Sequence, residues 1–126
     1  MVDLVLWVVA WLLVAGVVWS SLGPPPAALA DLSFGDKLLH FGAYAATTGT
    51  FLLAAVWRPG RGPGGFPRSA PLILGVAIVL SGVIELAQGA FTSRTADAWD
   101  AVASILGAVT AWAAWRLLPR VRARAR

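Results

Sequence analysis

The sequence predicts an all-α integral membrane protein, a four-helix antiparallel bundle with both termini cytoplasmic, and three observations carry that reading. The composition is 59% hydrophobic and 13% charged, against about 45–50% and about 25% in a soluble domain, and the mean hydropathy is +0.77. Four apolar segments reach the roughly 20 residues that a bilayer crossing needs. The basic residues collect in short flanks beside those segments, the arrangement that orients membrane proteins. The 126 residues are nearly consumed by the four segments, so the chain reads as a single membrane domain over 1–126.

The first segment, LVLWVVAWLLVAGVVWSSL at about 4–22, has no ionisable side chain and reads as scaffold. A cleaved signal peptide is the alternative, because ALA at 28–30 resembles a cleavage site. The start MVDLV has no base, however, and the apolar run exceeds the usual 7–15 residues, so the segment is taken as a retained span. The second segment, about 38–57, opens with GDKLLHFGAY. Asp36 and His40 are four residues apart with Tyr44 one turn further, which places them on one helix face. The third, about 70–91, ends SGVIELAQGAF; Ser81, Glu85 and Gln88 again share a face. The fourth, about 98–118, follows SRTAD, and Asp97, Asp100 and Ser104 make a third stripe at its start. Small residues stud the helices, including Gly42, Gly49, Gly82 and Gly107, and permit close approach in a membrane.

The loop RPGRGPGGFPR carries Arg58, Arg61 and Arg68, and the basic tail over 116–126 carries Arg116, Arg120, Arg122, Arg124 and Arg126. Both are placed in the cytoplasm. The other two loops then face outward, with Lys37 and Arg94 as their only bases. This distribution reads as topology and attraction to anionic lipid, not nucleic-acid binding, for which a basic patch alone is weak evidence. The chain lacks cysteine, which excludes disulfides and thiolate metal sites.

In that topology the three polar stripes converge on the outer part of the membrane. The volume they share would hold His40, Glu85, Gln88, Asp97 and Asp100, with Lys37 and Arg94 at its mouth. Glu85 is the most telling, since it sits about 9 Å below the end of its helix at 1.5 Å per residue. A carboxylate at that depth costs a few kcal/mol and requires a partner or a wet cavity. Each of the others has a plainer reading: Asp36, Asp97 and Asp100 as helix-terminal anions, Lys37 as a snorkelling side chain, Gln88 and Ser81 as links between helices.

Three motifs in order, DKLLH at 36–40, ELAQ at 85–88 and RTADAWDAVASILG at 94–107, resemble the VanZ-like family of small bacterial membrane proteins. The resemblance spans about residues 31–115. Asp36, Lys37, His40, Glu85, Gln88, Arg94, Asp97, Asp100 and Gly107 match the family pattern, while Ser104 stands where the family usually has Asn. It implies a multi-pass protein of the bacterial inner (plasma) membrane acting in the cell envelope; the name-giving member is linked to resistance to the lipoglycopeptide teicoplanin.

The leading functional expectation is therefore an outward-facing site that binds or modifies the headgroup of a membrane lipid or lipid-linked precursor. Lys37 and Arg94 would hold phosphate, with Asp36, Gln88 and Ser104 completing the binding set. His40, Glu85, Asp97 and Asp100 would be the catalytic group if chemistry occurs. Glu85, Asp97, Asp100 and His40 are also the candidate ligands for a divalent metal such as Mg²⁺ or Mn²⁺. No established catalytic signature such as HExxH is present, so the sequence does not choose between binding and catalysis. A proton- or ion-coupled transporter subunit, which would have to oligomerise, and a non-catalytic assembly module are the alternatives.

Overall fold

The computed structural model describes residues 2–23, 34–57, 66–92 and 96–124, with side chains for 4–23, 34–57, 66–92 and 96–117. Arg94 and most of the two long loops lie outside these residues. The described chain is all helix: α1 (Val2–Leu22), α2 (Gly35–Val56), α3 (Ala70–Phe91) and α4 (Ala98–Arg124). The expected boundaries agree within a few residues, except that α4 continues six residues past the expected end at 118 into the arginine-rich tail. Pro71 lies in the first turn of α3, where its missing N–H removes a donor that would have no helical partner. Thr92 ends that helix in an extended conformation; its backbone N–H and its hydroxyl both donate to the Gln88 carbonyl, at 3.1 and 2.8 Å.

Among the described residues three helices, α1, α2 and α3, are long and apolar enough to cross a membrane. The fourth is more mixed, with Asp100 in its first turn and arginines at its end. The exterior is what lipid selects. Leu72, Val76, Val79, Val83 and Leu86 recur every three or four residues on α3 and are all exposed, as are Leu4, Val5, Val8, Trp11 and Leu12 on α1. An apolar face of this extent marks membrane or protein contact. Conversely, the buried set includes His40, Thr47, Thr48, Ser81, Glu85, Gln88, Asp100 and Ser104. Where the surroundings are hydrocarbon, polar groups must be satisfied inside the protein. Thr47 does so locally, donating to the Ala43 carbonyl at 2.7 Å.

The helix pair α2 and α4 forms the most extensive contact in the fold, and Gly107 explains why. A Cβ at this position would lie 2.1 Å from the Phe41 carbonyl oxygen and 2.9 Å from its carbon, so the two backbones meet at a separation only glycine allows. On α1, Trp7 and Trp11 pack edge-on against Phe51 of α2, with ring centroids 5.6 and 5.4 Å apart. The Arg116 guanidinium, near the far end of α4, lies 5.2 Å from the Phe66 ring and 4.8 Å from the Trp112 ring, close enough for cation–π attraction.

Candidate functional site

The starts of α2 and α4 and the end of α3 meet, and the polar stripes meet with them. Lys37, in the first turn of α2, donates from Nζ to Asp97 Oδ2 at 2.8 Å and to Asp100 Oδ1 at 3.1 Å. An ammonium has three donors, so among the described residues one remains for a further acceptor. One turn deeper, His40 is 8% exposed and Asp100 6% exposed. His40 Nε2 stands 3.9 Å from Asp100 Oδ2, too far for a hydrogen bond. Its other ring nitrogen, Nδ1, lies 3.3 Å from Ser104 Oγ. Ser104 is thus buried against the histidine, on the face of α4 that it shares with Asp100.

Asp97 has two roles at once. It precedes α4, and its Oδ1 accepts from the Trp99 backbone N–H at 2.9 Å, the helix-capping role weighed from sequence; its other oxygen faces Lys37. The nearby ammonium holds the Asp97 carboxyl below its ordinary value of 3.8, and the Trp99 N–H adds to the effect. Asp36 lies in the first turn of α2, whose preceding residue, Phe34, makes no side-chain cap bond. A carboxylate there suits the positive end of the helix dipole.

Glu85 is buried as expected, at 8% exposure, and it accepts a hydrogen bond from a backbone amide, a partner not considered from sequence. Its Oε1 accepts from the Asp97 backbone N–H in a short hydrogen bond, tying the end of α3 to the turn that opens α4. Arg94, one of the cations expected there, lies outside the described residues. Gln88 takes the plainer of its two readings, a link between helices. Its Nε2 donates to the Ser21 carbonyl at 2.7 Å, so it binds the open carbonyl end of α1 and joins α3 to α1. Ser81 links α3 to α4 by donating to the Ala101 carbonyl at 3.3 Å.

Of the four candidate metal ligands, His40 and Asp100 come together with a third ligating group. Asp97 is engaged with Lys37 and the α4 cap, and Glu85 with a backbone amide. The atoms that do come together are one each from Asp36, His40 and Asp100, all within 4.8 Å of one another. Asp36 was expected only to bind substrate or cap a helix.

An apolar cavity of about 370 Å³ lies between α1, α2 and α3, bounded by Trp7, Trp11, Phe51, Leu72, Val76 and Leu80 among others. Tyr44, one helical turn past His40 on α2, is on its wall, and the cavity extends from there along Thr47, Thr48 and Phe51 toward the C-terminal end of that helix. Spacing alone gave no sign of it, because its lining residues are ordinary membrane-helix side chains.

Compared with known proteins, the chain matches no family model, no curated protein and no solved structure. The functional reading therefore rests on the residues themselves.

Proposed function

We propose that this chain is a multi-pass protein of the bacterial plasma membrane, related to the VanZ-like proteins, whose polar site binds or modifies the headgroup of a membrane lipid or lipid-linked envelope precursor on the outer leaflet. In this reading the four helices run antiparallel, α4 is the fourth span, and both termini are cytoplasmic, as the arginine distribution requires. The observation that carries the proposal is the junction of two unlike environments. A cluster of Lys37, His40, Asp97, Asp100 and Glu85 gathers at one end of membrane-length helices, and the same bundle holds an apolar cavity that runs from Tyr44, one turn past His40, toward the other end of α2. An amphiphile fits both: its headgroup meets the unused Lys37 donor, and its hydrocarbon chain enters the cavity. At roughly 30 Å³ for a group the size of water, the cavity accepts about a dozen such groups, a substantial part of one chain. A transporter subunit is less well supported, because the deeper lining is apolar and offers a proton or ion few stations. Effects on lipoglycopeptide susceptibility would follow from the choice of headgroup.

Glu85→Gln tests the functional reading of the cluster. Gln keeps an acceptor for the Asp97 amide and removes a buried charge, so a purely structural Glu85 would leave stability equal or higher. The expected outcome is an unchanged or raised melting temperature in detergent with loss of an envelope phenotype such as altered lipoglycopeptide susceptibility. A variant that retains the phenotype in full leaves Glu85 as packing alone.

A further inference from the structure

We infer that Asp36, His40 and Asp100 form a binding site for one divalent transition-metal ion, of the Zn²⁺ or Mn²⁺ class. Two of the three groups sit four residues apart on α2, the spacing that puts two ligands on one helix face, and the third comes from the first turn of α4. One donor atom from each lies within 4.8 Å of the other two. Two donors on opposite sides of an ion at about 2.1 Å are separated by about 4.2 Å, so small side-chain rotations bring the three onto a common centre.

The second observation is the state of His40. The ring is 8% exposed, and its Nε2 points at Asp100 Oδ2 across 3.9 Å. That gap is too wide for a hydrogen bond and suits a cation between the two atoms. On the other side of the ring, Ser104 Oγ is 3.3 Å from Nδ1. A hydroxyl that accepts the Nδ1–H fixes the tautomer with the Nε2 lone pair directed at Asp100. An outer partner on the second ring nitrogen is the usual companion of a metal-bound histidine. Asp100 can serve both neighbours, because Lys37 takes Oδ1 and Oδ2 is the atom turned towards His40.

Donor chemistry chooses the ion. One imidazole and two carboxylates favour Zn²⁺ or Mn²⁺ over Mg²⁺, which prefers oxygen donors alone and keeps most of its water. The cation also suits the charges of the cluster. Asp97 and Asp100 share the Lys37 ammonium, and a divalent ion between Asp100 and His40 adds positive charge at the Asp100 oxygen that the lysine does not take. It would let an acid-rich site accept a phosphate-bearing headgroup, a consequence that rests on the proposed function, whereas the metal site itself does not.

The test is a titration of untagged, chelator-stripped protein in detergent with Mn²⁺ and with Zn²⁺, followed by calorimetry and, for Mn²⁺, by electron paramagnetic resonance. One ion per chain is expected, with nitrogen hyperfine coupling from one histidine. His40→Gln, Asp36→Asn and Asp100→Asn should each weaken binding at least tenfold. Ser104→Ala, which keeps every ligand, should weaken it by about tenfold, and Asp97→Asn and Glu85→Gln should bind within about threefold of wild type. Absence of stoichiometric binding overturns the inference, as does binding without nitrogen coupling or binding indifferent to Ser104→Ala and His40→Gln. Lipid retention measured separately after chelation reports on the headgroup reading, so the two can fail independently.

Discussion

Gly107→Ala is the substitution whose effect the fold dictates most directly. The added methyl carbon would lie 2.1 Å from the Phe41 carbonyl oxygen, 2.9 Å from its carbon and 3.1 Å from its Cα, where ordinary contact begins near 3.4 Å. All three atoms are backbone, so no side chain can turn aside, and α2 and α4 must separate by about 1 Å or more. Overpacking of this kind costs about 1–3 kcal/mol. At about 4 °C per kcal/mol for a chain of this size, the melting temperature in detergent should fall by roughly 4–12 °C. His40 on α2 sits one residue from Phe41, and Ser104 lies one turn before Gly107, so their 3.3 Å contact should open and function should fall with stability. Gly42→Ala is the matched control. It is the next residue along α2, nothing lies within 4 Å of its added carbon, and relief of glycine's backbone entropy should stabilise by about 0.5–1 kcal/mol. The reasoning is refuted if the two variants melt alike, or if Gly107→Ala is the more stable of the pair.

Other expectations follow from the same contacts. Asp97 has its carboxyl pKa lowered by Lys37, so its pairing supports the folded state above pH 3.8 and is lost as the pH falls through the depressed native value. The stability difference between wild type and Lys37→Met, followed by thermal melts from pH 7 to pH 2.5, should therefore shrink only at the acidic end; a difference unaltered at the lowest pH contradicts the pairing. For the orientation, the absence of native cysteine permits single-cysteine labelling. Ala28→Cys and Ser93→Cys should react with an impermeant maleimide from outside the cell and Gly64→Cys should not, and the reverse pattern would invert the proposed topology and place the site on the inner face.

The four helices were legible because hydropathy is a one-dimensional signal, and a run such as 4–22 has no competing fold in water. The polar stripes were legible for a similar reason: four-residue spacing puts Asp36 with His40 and Asp100 with Ser104 before any tertiary contact is known. What crosses between helices was not legible. Nothing in ELAQ distinguishes Glu85, which reaches the Asp97 amide, from Gln88, which turns to the carbonyl end of α1. Both lie on the buried side, and the neighbour each meets is set by how α3 is rotated. Asp36 was not among the candidate metal ligands, because its closeness to Asp100 depends on how α2 packs against α4 and not on spacing along the chain. Gly107 was one small residue among several, and only the Phe41 carbonyl behind it separates it from Gly42. The aromatic and aliphatic cavity walls carried no signal, because the same side chains face lipid elsewhere on α1 and α3.

The central claim is that the cluster around Lys37, His40 and Asp100 receives a lipid headgroup while the adjoining cavity takes its chain, and native mass spectrometry of protein extracted directly from membranes into mild detergent tests it. Wild type should carry one phospholipid- or polyprenyl-phosphate-sized adduct per chain, and Lys37→Gln should lose it while keeping the helical circular dichroism of wild type. Wild-type protein that leaves the membrane without an adduct, or a Lys37→Gln variant that retains the same one, would contradict the account.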